Sequence, residues 1–340
     1  MKTSSNLIVF DLFGVVFNKG LESSIDRLVA ALDRPERDVE QAYRKWERLF
    51  DLGKVDENQF WDNINADLGT EINPHVLSNI VIAAYKPNSN TIQLARFLRR
   101  KHKVVVYSNY RREWFDRLDD MFDIAVNFDD IVISSDTGLL KPDIDVFTYL
   151  SDEYETNIEG LIIVDDEQAN VDGAEKAGGK GLLFKNVFEA EVNIRTLLGA
   201  TMPDYDYFYS GVLLKTRQGA LILQRRDNSM RIANAGRLSV FGGRRKRNES
   251  AVGCAIRELK EETGILREEG DFTLLKEYGA PDEKGRWVHC SYYEVEAELN
   301  EVDLKEGQGV EVWYPEQALK QNDLTEVPQV LIESVYDKRP

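Results

Sequence analysis

The chain has 340 residues, and 43 Lys and Arg against 60 Asp and Glu give it a formal charge of −17. That length suits two domains of ~100–200 residues each, and the acidic balance weighs against nucleic acid or an anionic membrane as the main partner. Apolar runs such as residues 104–107 and 161–164 fall far short of the ~18 needed to cross a bilayer, and no apolar leader follows Met1, so a cytoplasmic protein without a membrane partner is expected. Cys254, Cys290 and three histidines make neither a disulfide framework nor a zinc cage. Any divalent ion would be held by oxygen, which suits Mg2+ or Mn2+.

In chain order, the apolar run 7–10 leads into Asp11, 104–107 follows a long helical stretch and leads into Ser108-Asn109, and 161–164 leads into Asp165-Asp166. Continuous apolar runs separated by helices read as parallel strands buried on both faces, and open α/β sheets bind ligands outside the carboxyl ends of their strands. Three strand ends would therefore point polar groups into one crevice. Residues 21–98 exceed what one crossover helix needs. Tyr43, Trp46, Leu49 and Phe50 share one helical face, and Gly53, Gly69 and Pro74 break the run. This predicts a helical cap over about 18–95, the alternative being crossover helices packed on the sheet.

From about residue 198 the pattern changes. Residues 210–226 read as a hairpin turning at Gln218-Gly219, residues 274–298 as another turning near 281–285, with a helix over 250–263 between them and a last one over 327–336. The fold class expected is α/β, a Rossmann-like parallel sheet with an inserted cap over 1–200, followed by an α+β domain over 204–340.

At about 100° per residue, Glu262 lies about 40° and Glu261 about −60° from Glu258 on the helix 250–263, while Leu259, Ile256 and Val252 lie opposite. Like charges within one turn repel, so the acidic face asks for a cation. Gly242-Gly243 allow a tight loop whose carbonyl approaches a metal, Gly264 can end the helix, and Arg257 can orient Glu258. Cys254 reads as a small space-filler. Gly243, Glu249, Arg257, Glu258, Leu259, Glu261, Glu262, Gly264 and Ile265 match the Nudix box at every defined position, so the second domain resembles the Nudix hydrolases. The resemblance implies hydrolysis of a nucleoside diphosphate derivative by an activated water, with Glu258, Glu261, Glu262, Gly243 and a later carboxylate, Glu306 or else Glu311, as metal positions, Arg257 orienting Glu258, and Glu249 outside them. Arg225, Arg226, Arg231, Arg237 and the basic run 244–247 crowd the approach. Of these, Arg225 and Arg226 are the candidates for substrate phosphate.

In the first domain, a strand-end aspartate can attack phosphorus or carbon, a lysine can steady the developing anion, and a hydroxyl and an amide can grip the transferred group. Asp11, Lys141, Ser108 and Asn109 supply that set, without a general acid. Residues 10–16, Tyr107-Ser108-Asn109, Lys141-Pro142-Asp143 and Val164-Asp165-Asp166 resemble, in order, the four motifs of the haloacid dehalogenase (HAD) superfamily. That resemblance implies Asp11 as nucleophile and Asp11, Phe13, Asp165 and Asp166 as metal positions. The pattern departs at Phe13, where phosphatases of the family carry a proton-donating aspartate; dehalogenation needs none. The leading expectation is a two-site hydrolase in which the HAD-like domain dephosphorylates a phosphorylated product. The alternatives are a catalytic Nudix domain beside a structural or ligand-binding HAD-like one, and a non-catalytic nucleotide sensor. A small-molecule nucleotide is the expected partner, and a homodimer stays open.

Overall fold

The parallel strands β1 (Leu7–Phe10), β2 (Lys103–Ser108), β3 (Asp130–Ile133), β4 (Leu161–Asp165) and β5 (Lys180–Leu183) lie in the order β3-β2-β1-β4-β5. Every residue of β1 and of β4 is buried, as the apolar runs require when helices cover both faces. The register sets Leu7 beside Lys103 on one side and Leu161 on the other. A computed structural model describes residues 6–199, 203–228, 235–282 and 284–336. The chain divides into two compact units, Met1–Pro203 and Asp204–Pro340.

Helices α1 (Ile25–Leu32), α2 (Glu36–Asp51), α3 (Glu57–Leu68) and α4 (Pro74–Ile82) follow β1 as an insertion. Their ends obey local chemistry: Asp56 and Gln59 form a capping box at α3, Gly69 closes it in the left-handed region at φ 62, and Asn73 caps α4 with Pro74 at its first position. Phe50 stacks on Phe60 at 4.2 Å within the cap, and Trp61 on Trp114 of the helix after β2 at 6.2 Å, joining cap to sheet layer.

Helices α5 (Ser89–Leu98), α6 (Arg112–Phe122), α7 (Ser134–Thr137), α8 (Ile144–Glu153), α9 (Gln168–Lys176) and α10 (Val187–Leu198) complete the unit. Leu7, Val9, Val105, Tyr107 and Ile163 face Val146, Phe147 and Leu150 of α8 in one core. The expected cap ran to about residue 95, but α5 packs against β2 and α10, so the inserted helices end at Ile82. An amphipathic repeat says that a face is buried, not against which layer.

The second unit is a seven-stranded mixed sheet of β6 (Tyr207–Lys215), β7 (Leu221–Arg225), β8 (Leu238–Ser239), β9 (Phe241–Arg244), β10 (Thr273–Pro281), β11 (Trp287–Glu296) and β12 (Gly309–Trp313). The order is β10-β11-β6-β7-β12, with β9 paired to β6 and β8 to β7, and β6 runs parallel to β11. Helix α11 (Ala251–Thr263) lays Ala255 and Leu259 on Val212, Leu214, Ile222 and Phe241. Ser250 caps its start through Gly253 N, and Gly264 ends it at φ 72. Short α12 (Pro315–Ala318) and α13 (Glu326–Val335) close the chain. Among the described residues no helix is long and apolar enough to cross a membrane.

Candidate active sites

Strands β1 and β4 are neighbours in the sheet although some 150 residues separate them, and the strand order reverses between them. Their carboxyl ends therefore open onto a crevice. Asp11 N donates to Val164 O at 2.9 Å, tying the two ends together. Lys141 Nζ stands 2.8 Å from Asp11 Oδ1 and 2.6 Å from Asp165 Oδ2. Asp165 Oδ1 accepts from Glu167 N at 2.9 Å and Asn170 Nδ2 at 3.0 Å. Both oxygens of Asp165 are thus committed to holding the lysine and the α9 start, and Asp11 and Asp166 are the carboxylates left to face a cation.

Oxygen atoms of Asp11, Asp165 and Asp166 can lie within 4.8 Å of one another. Burial, opposed by Lys141 and reinforced by Asp165, pushes the Asp11 carboxyl up to about 7, and burial with Asp165 also raises Asp166. Burial works against the charge of Lys141, but Asp11 and Asp165 hold it above the ordinary lysine range. Lys141 and Lys19, the latter 3.6 Å from Asp166, leave the three carboxylates with net negative charge, and such a cluster of oxygen donors fits a hard divalent cation. The Phe13 side chain cannot ligate; only its carbonyl could. Gly14, at φ 77, is obligatory here, because a Cβ would sit 2.2 Å from Asp166 Oδ2.

Asn109 was expected to grip the transferred group. Its amide is instead spent on the Lys141 backbone, donating from Nδ2 to the carbonyl and accepting at Oδ1 from the N–H, both at 2.9 Å. It positions the lysine loop, and both Ser108 and Asn109 line the cavity. That cavity, about 380 Å3, is lined by Asp11, Ser108, Lys141 and Asp166 from the sheet and by Tyr43, Arg44, Glu47 and Asp51 from α2. The cap residues escaped the sequence reading. Their signal was the four-residue spacing that carries Tyr43 of the apolar face on to Glu47 and Asp51.

In the second unit Arg257 organises the acidic helix. Its guanidinium is bidentate to Glu249, at 2.7 and 3.0 Å, and reaches Glu258 at 2.5 Å and Glu261 at 2.9 Å. These bonds first, and then a Lys246 N–H, hold Glu249 down to about 2. Glu262 Oε2 accepts from Gly242 N at 2.8 Å, and burial, with Glu258 and Glu306 adding and Gly242 and Arg226 opposing, pushes its carboxyl up to about 7. Glu258 lies flat on Gly243, where a Cβ would stand 2.3 Å from Oε1. The buried Glu262, the half-buried Glu258 and the exposed Glu306, whose negative charges both act on Glu262, together offer oxygen donors that fit a divalent ion. Glu261 is the outlier, 50% exposed and 3.8 Å from Lys246.

The Gly243 carbonyl takes only a weak contact from the Cys254 thiol at 3.5 Å, which leaves it able to face a cation, and the glycine itself is required by Glu258's approach. Arg225, expected on substrate phosphate, is bound to Glu311 at 2.6 Å, Asp323 at 2.8 Å and the Gly236 carbonyl at 2.6 Å; Arg226 is the one whose charge reaches Glu262. Arg231 lies outside the described residues. Burial pushes the Cys254 thiol up to about 11, consistent with packing and not reactivity.

Fold and sites together define a hydrolase. The family model for haloacid dehalogenase-like hydrolases matches residues 6–178, just over half of the chain, and that for the NUDIX domain matches residues 209–334. The chain belongs to the haloacid dehalogenase-like hydrolase family and carries a C-terminal NUDIX domain. It is 25% identical over 209 residues to the sesquiterpene phosphatase astK of Aspergillus oryzae (strain ATCC 42149 / RIB 40), covering 58% of this chain and 100% of that one. It is 30% identical over 98 residues to the drimenol cyclase drtB of Aspergillus calidoustus, covering 29% of this chain and only 19% of the cyclase. Among solved structures, an HAD-like family hydrolase from Porphyromonas gingivalis is 22% identical with a TM-score of 0.49, over 58% of this chain and 99% of that one. A MutT protein from Methanosarcina mazei Go1 is 22% identical with a TM-score of 0.34, over 37% and 90%.

Proposed function

We propose that the chain is a hydrolase with two sites, both dependent on Mg2+ or Mn2+. The NUDIX unit cleaves the diphosphate bond of a nucleoside diphosphate derivative, and the HAD-like unit removes phosphate from a phosphomonoester, the phosphorylated product being the natural candidate. The observation that carries the first assignment is the closure of Glu258 and Glu262 over Gly242-Gly243 under the hold of Arg257. Arg257 fixes Glu258 as the base for the attacking water, and Arg226 offers positive charge to the diphosphate.

At the HAD-like site an Asp11 oxygen attacks phosphorus. Lys141, 2.8 Å away, offsets the negative charge at the attacked group, Ser108 holds the phosphoryl oxygens, and Asp165 with Asn109 keep the lysine in place. Glu258, Glu262 and Glu306 in one unit, and Asp11, Asp166 and the Phe13 carbonyl in the other, would hold the divalent ion, which supplies charge neutralisation and water activation when bound. The full-length likeness to a sesquiterpene phosphatase supports phosphomonoester chemistry.

The test is a panel of nucleoside diphosphate derivatives and phosphomonoesters, a sesquiterpenyl phosphate included, assayed with Mg2+ or Mn2+ for cleavage products and free phosphate. Glu258→Gln should lose diphosphate cleavage alone, and Asp11→Asn phosphate release alone. An Asp11→Asn protein with undiminished phosphate release rejects the second site; a Glu258→Gln protein with undiminished cleavage rejects the first.

A further inference from the structure

We propose that Asp51, brought to the HAD-like site by the cap, is its general acid and base. This rests on the reading of that site as a phosphomonoesterase. Expelling an alkoxide from phosphorus calls for a proton, and Phe13 fills the sequence position from which a neighbouring aspartate would give one. Its ring is packed at 4.5 Å on both Tyr85 and Tyr110, so it has no room to exchange roles with a polar group.

Apart from Asp11, Asp166 and Glu167 at the strand ends, the carboxyls on the cavity wall are Glu22, Glu47 and Asp51. Arg44 engages Glu47 at 3.0 Å and Glu22 at 3.7 Å. The Asp51 carboxyl makes no hydrogen bond or ion pair among the described residues, while its main chain is anchored by Ser134 Oγ donating to its carbonyl at 2.7 Å. The last turn of α2 is thereby tied to the carboxyl end of the sheet, and the side chain is left to the cavity.

The groups that face Asp51 are Tyr43, Arg44 and Glu47 of its own helix, Tyr85 after α4, and Tyr110 and Arg111 after β2. Burial first, and Glu47 second, push the Asp51 carboxyl well above the ordinary range against Arg111 and Arg44. It keeps its proton where an ordinary aspartate has lost it. The three tyrosines are pushed upward from an already high value, which makes them the weaker donors.

In the first half-reaction an Asp11 oxygen bonds to phosphorus, the bond from phosphorus to the ester oxygen breaks, and the Asp51 proton passes to that oxygen, releasing the alcohol. In the second, water bonds to phosphorus, its proton returns to the Asp51 carboxylate, and the bond from phosphorus to Asp11 breaks, releasing phosphate. Both side chains end as they began.

The experiment compares wild type, Asp51→Asn, Glu47→Gln and Asp11→Asn in the full chain with Mg2+, on p-nitrophenyl phosphate and on a set of alkyl phosphates comprising glycerol, hexose and farnesyl phosphates. Asp51→Asn should cut kcat on the alkyl esters about 100-fold or more, but on the aryl ester, whose leaving group scarcely needs a proton, about 10-fold or less. The basic limb of the wild-type pH profile should vanish in Asp51→Asn and move to lower pH in Glu47→Gln, which removes a neighbouring negative charge. Asp11→Asn should abolish both activities. Equal losses on aryl and alkyl esters, or undiminished alkyl turnover in Asp51→Asn, overturn the role of Asp51 and leave the phosphatase reading standing. No phosphate release by wild type from any ester removes that reading and the inference with it.

Discussion

Gly243→Ala probes the contribution of Glu258, because the nearest atoms that a Cβ at this position would meet all belong to that carboxylate. A Cβ at residue 243 would meet Glu258 Oε1 at 2.3 Å, Cδ at 2.4 Å and Oε2 at 2.6 Å, whereas such contacts essentially never fall under 3.0 Å. The carboxylate must therefore retreat by at least 0.7 Å, the gap between the first and last of these distances. Arg257, at 2.5 Å, pulls it back toward its present place, so the new methyl and the guanidinium compete for one position. A misplacement of about 1 Å costs on the order of 100-fold in rate, so diphosphate cleavage should fall about 10- to 100-fold, or ~1.4–2.7 kcal/mol in the barrier. Overpacking of this kind costs roughly 1–3 kcal/mol of stability, which thermal denaturation would register as a lower Tm in a folded protein. The assay is steady-state cleavage with Mg2+, with phosphate release from a phosphomonoester at the HAD-like site as the internal control. Cleavage within threefold of wild type, in a folded variant, would refute the placement of Glu258 in the reaction.

Three further outcomes follow from named contacts. Lys141→Met leaves Asp11 and Asp165 facing each other without a counter-charge; breaking a buried pair costs about 3–5 kcal/mol, so the metal-free protein should melt markedly lower, and with Mg2+ the variant should release no phosphate while its diphosphate cleavage persists. Glu249, held down to about 2 from 4.5 by Arg257, lends stability that is present above pH 4.5 and lost as pH falls toward 2. Glu249→Gln should therefore lower unfolding free energy by roughly 1–2 kcal/mol at pH 7, after discounting for solvent screening, and by almost nothing at pH 2; a penalty that does not shrink with acid contradicts the ion pair. Arg225→Ala, which breaks the bridges to Glu311 and Asp323, should destabilise the NUDIX unit by about 1 kcal/mol with KM for the diphosphate unchanged, whereas Arg226→Ala should raise KM several-fold; the reverse pattern would return Arg225 to the substrate.

The hairpin expected over 210–226, the helix over 250–263 with its stop at Gly264, and the buried apolar runs of β1, β2 and β4 were legible in the sequence, because each depends on residues within about a dozen positions. The strand-end carboxylates Asp11, Asp165 and Asp166 and the acidic face of α11 could be named from motif spacing along one strand end or one helix face, whereas Glu47 and Asp51 of the cap could not. Arg225 and Asn109 were not, since nothing local distinguishes a guanidinium or amide aimed at substrate from one taken by Glu311 or the Lys141 backbone.

By itself the sequence determined the two sheets, the acidic helix and the order of the strand-end groups, because periodicity, capping and turn chemistry act over one or two turns of chain. Only the tertiary structure decided which polar groups stay available to a ligand. It set Lys141 between Asp11 and Asp165, spent Arg225 and Asn109 on neighbours, and lowered Glu47 and Asp51 of the inserted α2 toward a crevice whose other wall includes residues as distant in sequence as Asn170. Which buried polar group finds a partner is settled by the packing of distant segments, and no local pattern encodes it.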